Sequence, residues 1–273
     1  MERPSGTWRR IASATCTVPK LSCSGSVRGC RSRRFMGTTI SARPKTGVLA
    51  YWSSRAEPSH LGRSAVPAEP VTGLILAGGK SRRLGIDKTT MPWPPPPPGK
   101  PVAPGTPTLL AATAGRLTSV CGEVVLVGYR AEQHALAYRT VPDVYADSGS
   151  LGGIYSGLTA AGGWAFAIAA DMPFLNLPLV RHMLSRRREW DALVPVIAGR
   201  PEPLHALYGP ACLPAMRERI ESRRLKIAGF FDAVRVHFLG EDTVRAFDPE
   251  LRSFFNINTP DDLEQARAMQ RDG

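Results

Sequence analysis

Cysteine is scarce and poorly spaced for a structural role. The 273 residues hold five: Cys16, Cys23 and Cys30 at intervals of seven, and Cys121 and Cys212 standing alone. That spacing suits neither a zinc knuckle nor a compact disulfide framework, and an odd count fits a reducing compartment, so a cytoplasmic location is expected. No apolar run reaches 18 residues, which predicts no membrane span. Acidic side chains are few at one end: residues 1–70 hold 12 Lys and Arg against 3 Asp and Glu, a net +9, while the remaining 203 residues hold 23 against 20, a net +3. The high isoelectric point therefore belongs to the leader, and no nucleic-acid partner is expected for the folded part. Neither a Walker A sequence nor a GxGxxG fingerprint is present.

What is present is a chain with 43% hydrophobic and 21% charged residues, enough for a sizeable core. Residues 1–70 lack sustained periodicity and are rich in Ser, Arg, Gly and Pro. They read as a basic, disordered leader, as a transit peptide, or as a segment upstream of a later start such as Met36. From 71 to 273 the texture is that of one domain. Apolar strands are predicted at 72–77, 123–129, within 139–147 and at 164–171. Helical stretches at 108–120, 130–138 and 151–162 lie between them. Helices at 177–190, 209–223 and 259–270 and strands at 191–197, 202–208 and 233–239 follow. Near-continuous apolar strands alternating with helices predict an α/β fold: a three-layer Rossmann-like arrangement, mostly parallel, with helices on both faces. Residues 92–107 interrupt this order with nine prolines, read as an extended polyproline insertion.

The stretch LILAGGKSRRLGIDK, residues 74–88, runs from a buried strand straight into a glycine loop dense in cations. Ligands of parallel sheets sit beyond the carboxyl ends of the strands. Gly78 and Gly79 let backbone N–H groups approach an anion, and Lys80, Arg82, Arg83 and Lys88 add charge around it. That combination suits a nucleoside triphosphate. Asp171 ends the apolar run WAFAIAAD and can hold a hard cation or cap the next helix. Asn256 and Asn258 alternate, so both point one way if extended. His205 lies in an apolar strand, where a lone histidine is more often a structural residue.

These segments resemble the molybdenum cofactor guanylyltransferases, a branch of the nucleotidyltransferases. LAGGKSRRLGIDK is similar to their signature loop. VYADSGSLGGIYSGL (144–158) resembles their Asp followed by a Gly-Pro-Leu-Ala-Gly segment, with Ser150 in place of Pro. AADMPFL (169–175) resembles their metal loop, EPLHALY (202–208) a strand common among them, and FFNINTPDDL (254–263) their Asn-x-Asn-Thr-Pro segment. The resemblance implies transfer of GMP from GTP to molybdenum-bearing molybdopterin with release of pyrophosphate. It implies Arg83, Lys88 and Asp171 as catalytic residues, and Leu76, Ala77, Gly78, Gly79, Lys88, Asp147 and Asp171 as the nucleotide site. Asp171 is implied as the Mg²⁺ ligand, and Asn256, Asn258 and His205 as acceptor contacts. Molybdoenzyme apoproteins or cofactor-synthesis proteins are the implied partners. A related cytidylyltransferase, a sugar-phosphate nucleotidyltransferase and a non-catalytic nucleotide-binding protein are the competing readings. One departure is visible: where the family often places Asn after its second strand, this chain has Val127 and Gly128.

Overall fold

The computed structural model describes residues 70–78, 90–97, 99–129 and 136–271. The leader (save Pro70), the loop with Gly79, Arg83 and Lys88, and most of the expected helix at 130–138 lie outside the described residues. Among those described, no helix is long and apolar enough to cross a membrane.

Eight strands form one sheet: β1 Thr72–Leu76, β2 Glu123–Val127, β3 Arg139–Val141, β4 Ala165–Ala169, β5 Ala192–Ile197, β6 Arg200–Pro201, β7 His205–Tyr208 and β8 Val236–Leu239. Their order is β3-β2-β1-β4-β7-β5-β6, with β8 paired to β5. Strands β1 to β4 are mutually parallel, and β7 runs antiparallel between β4 and β5. The first four strands thus end on the same edge, where a parallel sheet leaves room for ligands.

The helices are α1 Leu109–Leu117, α2 Gly149–Ala161, α3 Leu177–Ser185, α4 Leu213–Glu221, α5 Glu241–Arg245 and α6 Pro260–Arg271. One core packs Leu110, Leu117, Leu179, Val180 and Met183 of α1 and α3 onto Ile75, Leu126 and Phe166. The other packs Leu151, Ile154, Leu158, Met216 and Ile220 of α2 and α4 onto Leu74, Val125 and Ala167. Alternate residues of β1 therefore face opposite layers, which makes a three-layer sandwich with both faces of the central strands dry. Two of the helix starts, α1 and α3, are capped by a short polar side chain. The Thr108 Oγ1 accepts from the Ala111 N–H at 3.1 Å, and the Asn176 side chain accepts from the Leu179 N–H at 2.9 Å.

The proline-rich segment does not run out as one extended excursion. It doubles back. The Trp93 N–H donates to the Pro107 carbonyl (2.8 Å), the Leu109 N–H to Met91 (2.7 Å), and Pro92 bridges Thr108. Met91 and Trp93 are buried, so apolar burial at the base overrides the stiffness of the prolines. The chain turns where the Lys100 and Thr106 N–H groups donate to the Pro97 and Ala103 carbonyls, and the tip is exposed.

Candidate functional site

The register of the four parallel strands builds a crevice rim. Beyond β1 the Ala77 N–H donates to the Val127 carbonyl (2.9 Å), and beyond β2 the Gly128 N–H donates to Val141 (3.0 Å). On the other side the Ala170 N–H donates to the Leu76 carbonyl at 3.2 Å. Leu76, Ala77, Gly78, Gly128 and Asp171 are therefore brought to one edge. Gly128 has a φ of +68°, and a Cβ there would sit 3.0 Å from the Gly78 Cα. Two backbones touch at this point, and a side chain on Gly128 would be both strained and crowded.

A further carboxylate, Asp143, stands at this edge. It follows β3 by two positions. Cβ atoms built on Gly128 and Gly78 would lie 3.5 and 3.9 Å from its Oδ2, and one on Gly153 would lie 3.8 Å from its Oδ1. Its carboxylate thus faces three glycines at the crevice rim. Partial desolvation holds its pKa above the ordinary carboxylate value. Asp147, which the resemblance implies at the nucleotide, sits four residues further on in a turn with a φ of +53° just before α2, and both carboxylates are exposed. The signal that separates the two is register: Val141 pairs with Val127, which puts the following Asp143 beside Gly128.

Gly152 and Gly153 serve packing. A Cβ on Gly153 would meet Leu76 Cδ2 at 2.9 Å, and one on Gly152 would overlap the Ser148 Oγ. These glycines let α2 lie close against β1, and Ser148 fills the remaining space.

Asp171 stands just past β4, half-buried. The helix-capping alternative falls away, because the residue that caps α3 is Asn176. The Ile257 N–H donates to the Asp171 carbonyl at 3.0 Å, which places Asn256 and Asn258 on either side of that contact. The two loops are joined again at Asn176. Its N–H donates to the Ser253 Oγ (3.1 Å) and its side-chain amide to the Phe247 carbonyl (2.8 Å). The buried Asp248 accepts from the N–H groups of Arg252 and Ser253, which shapes the turn into this segment. At the far end a reciprocal cap fixes Asn258. The Asp262 Oδ2 accepts from the N–H groups of Asn258 and Thr259, and the Thr259 Oγ1 accepts from the Asp262 N–H.

His205 corrects a sequence-based expectation. It pairs with Ile168 of β4, is 0% exposed, and lies between Phe166 and Phe254 at centroid distances of 5.1 and 4.8 Å. Neither ring nitrogen has a hydrogen-bond partner among the described residues. Burial pulls its pKa down to about 3, so the ring is neutral. A wholly enclosed ring offers no atom to an acceptor. His205 instead supports the segment that leads through Phe254 to Asn256.

A cationic turn follows α4. It carries Arg223, Arg224 and Lys226, all exposed, and is tied to the Asp143 loop through a 3.2 Å hydrogen bond from the Tyr145 hydroxyl to Glu221. A cavity of about 350 Å³ is lined by Arg116, Phe174, Asn176, Arg181 and Asp248, and so shares Asn176 and Asp248 with the loops that carry Asp171 and Asn256.

Among the described residues no three His, Cys, Asp or Glu side chains gather into a metal cluster. One carboxylate on a loop whose backbone is bonded to the Asn256–Asn258 segment suits a hard divalent cation that keeps waters and phosphate oxygens, as Mg²⁺ does, and does not suit a caged transition metal. The crevice therefore pairs close backbone approach and a carboxylate on one side with a metal-competent carboxylate and amides on the other. That arrangement is compatible with a phosphate-bearing nucleotide.

Comparisons with known proteins show the family. A family model described as a MobA-like NTP transferase domain matches residues 73–233. A probable molybdenum cofactor guanylyltransferase of Pelotomaculum thermopropionicum is 36% identical over 203 residues, 72% of this chain and 92% of the relative. A molybdenum cofactor guanylyltransferase of Desulfosudis oleivorans is 33% identical over 75% of this chain and 98% of its own length. Among solved structures, molybdopterin-guanine dinucleotide biosynthesis protein A from Archaeoglobus fulgidus superposes with a TM-score of 0.63 at 27% identity, covering 74% of this chain and all of that one.

Proposed function

The chain belongs to the MobA-like NTP transferase family, and from that premise we propose that it is a molybdenum cofactor guanylyltransferase. It transfers GMP from GTP to molybdopterin carrying molybdenum. A terminal phosphate oxygen of the pterin attacks the α-phosphorus of GTP, the bond from that phosphorus to the bridging oxygen breaks, and pyrophosphate leaves. The observation that carries this reading is the convergence of Gly78, Gly128, Asp143 and Asp171 at one strand edge, with Asn256–Asn258 bonded to the Asp171 backbone.

Both reactants are polyanions, so positioning and electrostatics carry the chemistry and no covalent intermediate is needed. The Gly78 backbone gives the nucleotide close approach. Asp143, held by the glycines around it, contacts the nucleoside. Asp171 would hold Mg²⁺, with Asn256 and Asn258 on the acceptor side; bound there, the ion would neutralise triphosphate charge and favour departure of pyrophosphate. Arg83 and Lys88 of the signature loop are assigned to the charge of the transition state. The turn carrying Arg223, Arg224 and Lys226 meets the acceptor phosphate. The two described cysteines, Cys121 and Cys212, are free and buried, which supports a cytoplasmic, reducing location.

The test is transfer of label from each of four α-labelled nucleoside triphosphates to molybdopterin. GTP is expected to support transfer, and Asp171→Ala to abolish it. Transfer from CTP alone would make the enzyme a cytidylyltransferase, and equal transfer by Asp171→Ala would remove its metal role.

A further inference from the structure

The proline-rich hairpin touches the reaction side of the crevice through one ring. Trp93, only 7% exposed, stands edge-on to Phe174 at 5.6 Å and 74°. Phe174 in turn packs on Phe255 at 6.1 Å. Phe174 follows Asp171 by three residues and Phe255 immediately precedes Asn256. Met91, Trp93, Leu109, Ile257 and Ala266 share one buried cluster, so the hairpin base also packs against the residue whose N–H holds Asp171. The tip makes no such contribution. Lys100 to Gly105 are exposed, Val102 by 49%.

From this ladder of rings we infer that Trp93 is a positioning residue for the divalent-metal half of the site. It presses Phe174 and Phe255 together and thereby sets the spacing between the Asp171 carboxylate and the Asn256–Asn258 amides. Hydrogen bonds join those two loops at the backbone, but backbone ties leave the outer faces of both loops free to rock. An aromatic wedge against both faces removes that freedom. A metal held by one carboxylate and substrate oxygens has few protein ligands, so its affinity depends steeply on where the carboxylate stands. The prolines of the tip are passengers in this scheme; the base is the working part. The assignment rests on the metal role proposed for Asp171.

The test reads metal binding directly. Full-length wild type, Trp93→Ala, Trp93→Phe, Phe174→Leu and a variant with residues 99–105, all exposed, replaced by Gly-Asn-Gly are saturated with GTP and titrated with Mn²⁺. Free Mn²⁺ is read by electron paramagnetic resonance, GTP affinity without metal by calorimetry, and folding by thermal unfolding. Trp93→Ala is expected to weaken Mn²⁺ binding five- to tenfold with metal-free GTP affinity within twofold of wild type. Trp93→Phe is expected to restore most of the affinity, and the shortened tip to retain all of it. If Trp93→Ala does not fold, Phe174→Leu, which keeps an apolar side chain and removes the ring, reads the same loss. Unchanged Mn²⁺ affinity in Trp93→Ala (or in Phe174→Leu in its place), or an equal loss in the shortened tip, overturns the inference while leaving the Asp171 role standing. A wild type that binds no Mn²⁺ with GTP overturns both.

Discussion

On one side of the crevice Gly78, Gly128 and Asp143 extend three strands locked in parallel register. On the other, Asp171 continues a strand but Asn256 and Asn258 arrive from a loop with no strand pairing to it. The nucleotide side is positioned by backbone ladders, and its tolerances are those of the sheet. The metal and acceptor side is positioned by a few hydrogen bonds and an aromatic cluster, so single side chains govern it. A transferase that must admit a second large anion gains from this division, because one wall can adjust without disturbing the other.

Substitutions can separate the two walls. The largest effect is expected from Asp171→Ala. Transfer should fall by about a thousandfold, roughly 4 kcal/mol of barrier, with little change in melting temperature, since Asn176 and not Asp171 caps α3. Steady-state label transfer and a thermal melt check both halves. Gly128→Ala attacks the other wall through the backbone. Its left-handed φ and the 3.0 Å approach to Gly78 should cost about 1–3 kcal/mol of stability, measured by denaturant unfolding, together with a loss of GTP affinity.

Asp143→Asn is gentler. GTP KM should rise about tenfold, roughly 1.4 kcal/mol of binding, with kcat nearly kept. Because the fold raises the pKa of Asp143, it disfavours the charged form, and that cost is present at neutral pH and vanishes as pH falls below the ordinary carboxylate value. The nucleotide-free variant should therefore melt no lower than wild type at pH 7, and any advantage should close in acid. If Asp147→Asn raises KM while Asp143→Asn does not, the register argument fails. The smallest effect on transfer is expected at His205, which acts on stability alone. Its pKa is lowered from 6.5 to about 3, so the unfolded chain takes up a proton that the fold excludes, and stability declines as pH falls through that window. His205→Phe should flatten the decline, read from melts between pH 7 and 4.

The strands were legible in the sequence because buried parallel strands are short apolar runs, and β1, β2, β4 and β5 fall within a residue or two of expectation. Helix α5 was not, since five residues carry too little periodicity. The site was half legible. Asp171 and the Asn256–Asn258 segment announce themselves by chemistry beside strand and helix ends. Asp143 does not, because only the pairing of β3 with β2 distinguishes it from Asp147, which lies closer to the glycines in sequence. His205 lies in an alternating strand, and nothing local reveals that Phe254 covers it. The proline tract suggested a free excursion because composition hides the one tryptophan that folds it back.

The most direct test of a single crevice with two unlike walls is a crystal structure of the full chain with GTP and Mn²⁺, the ion located by its anomalous signal. The account expects Mn²⁺ in direct contact with the Asp171 carboxylate, the nucleoside beside Asp143 and the phosphates over Gly78. Mn²⁺ away from Asp171, or a nucleotide seated in the Arg116–Arg181 cavity, would contradict it.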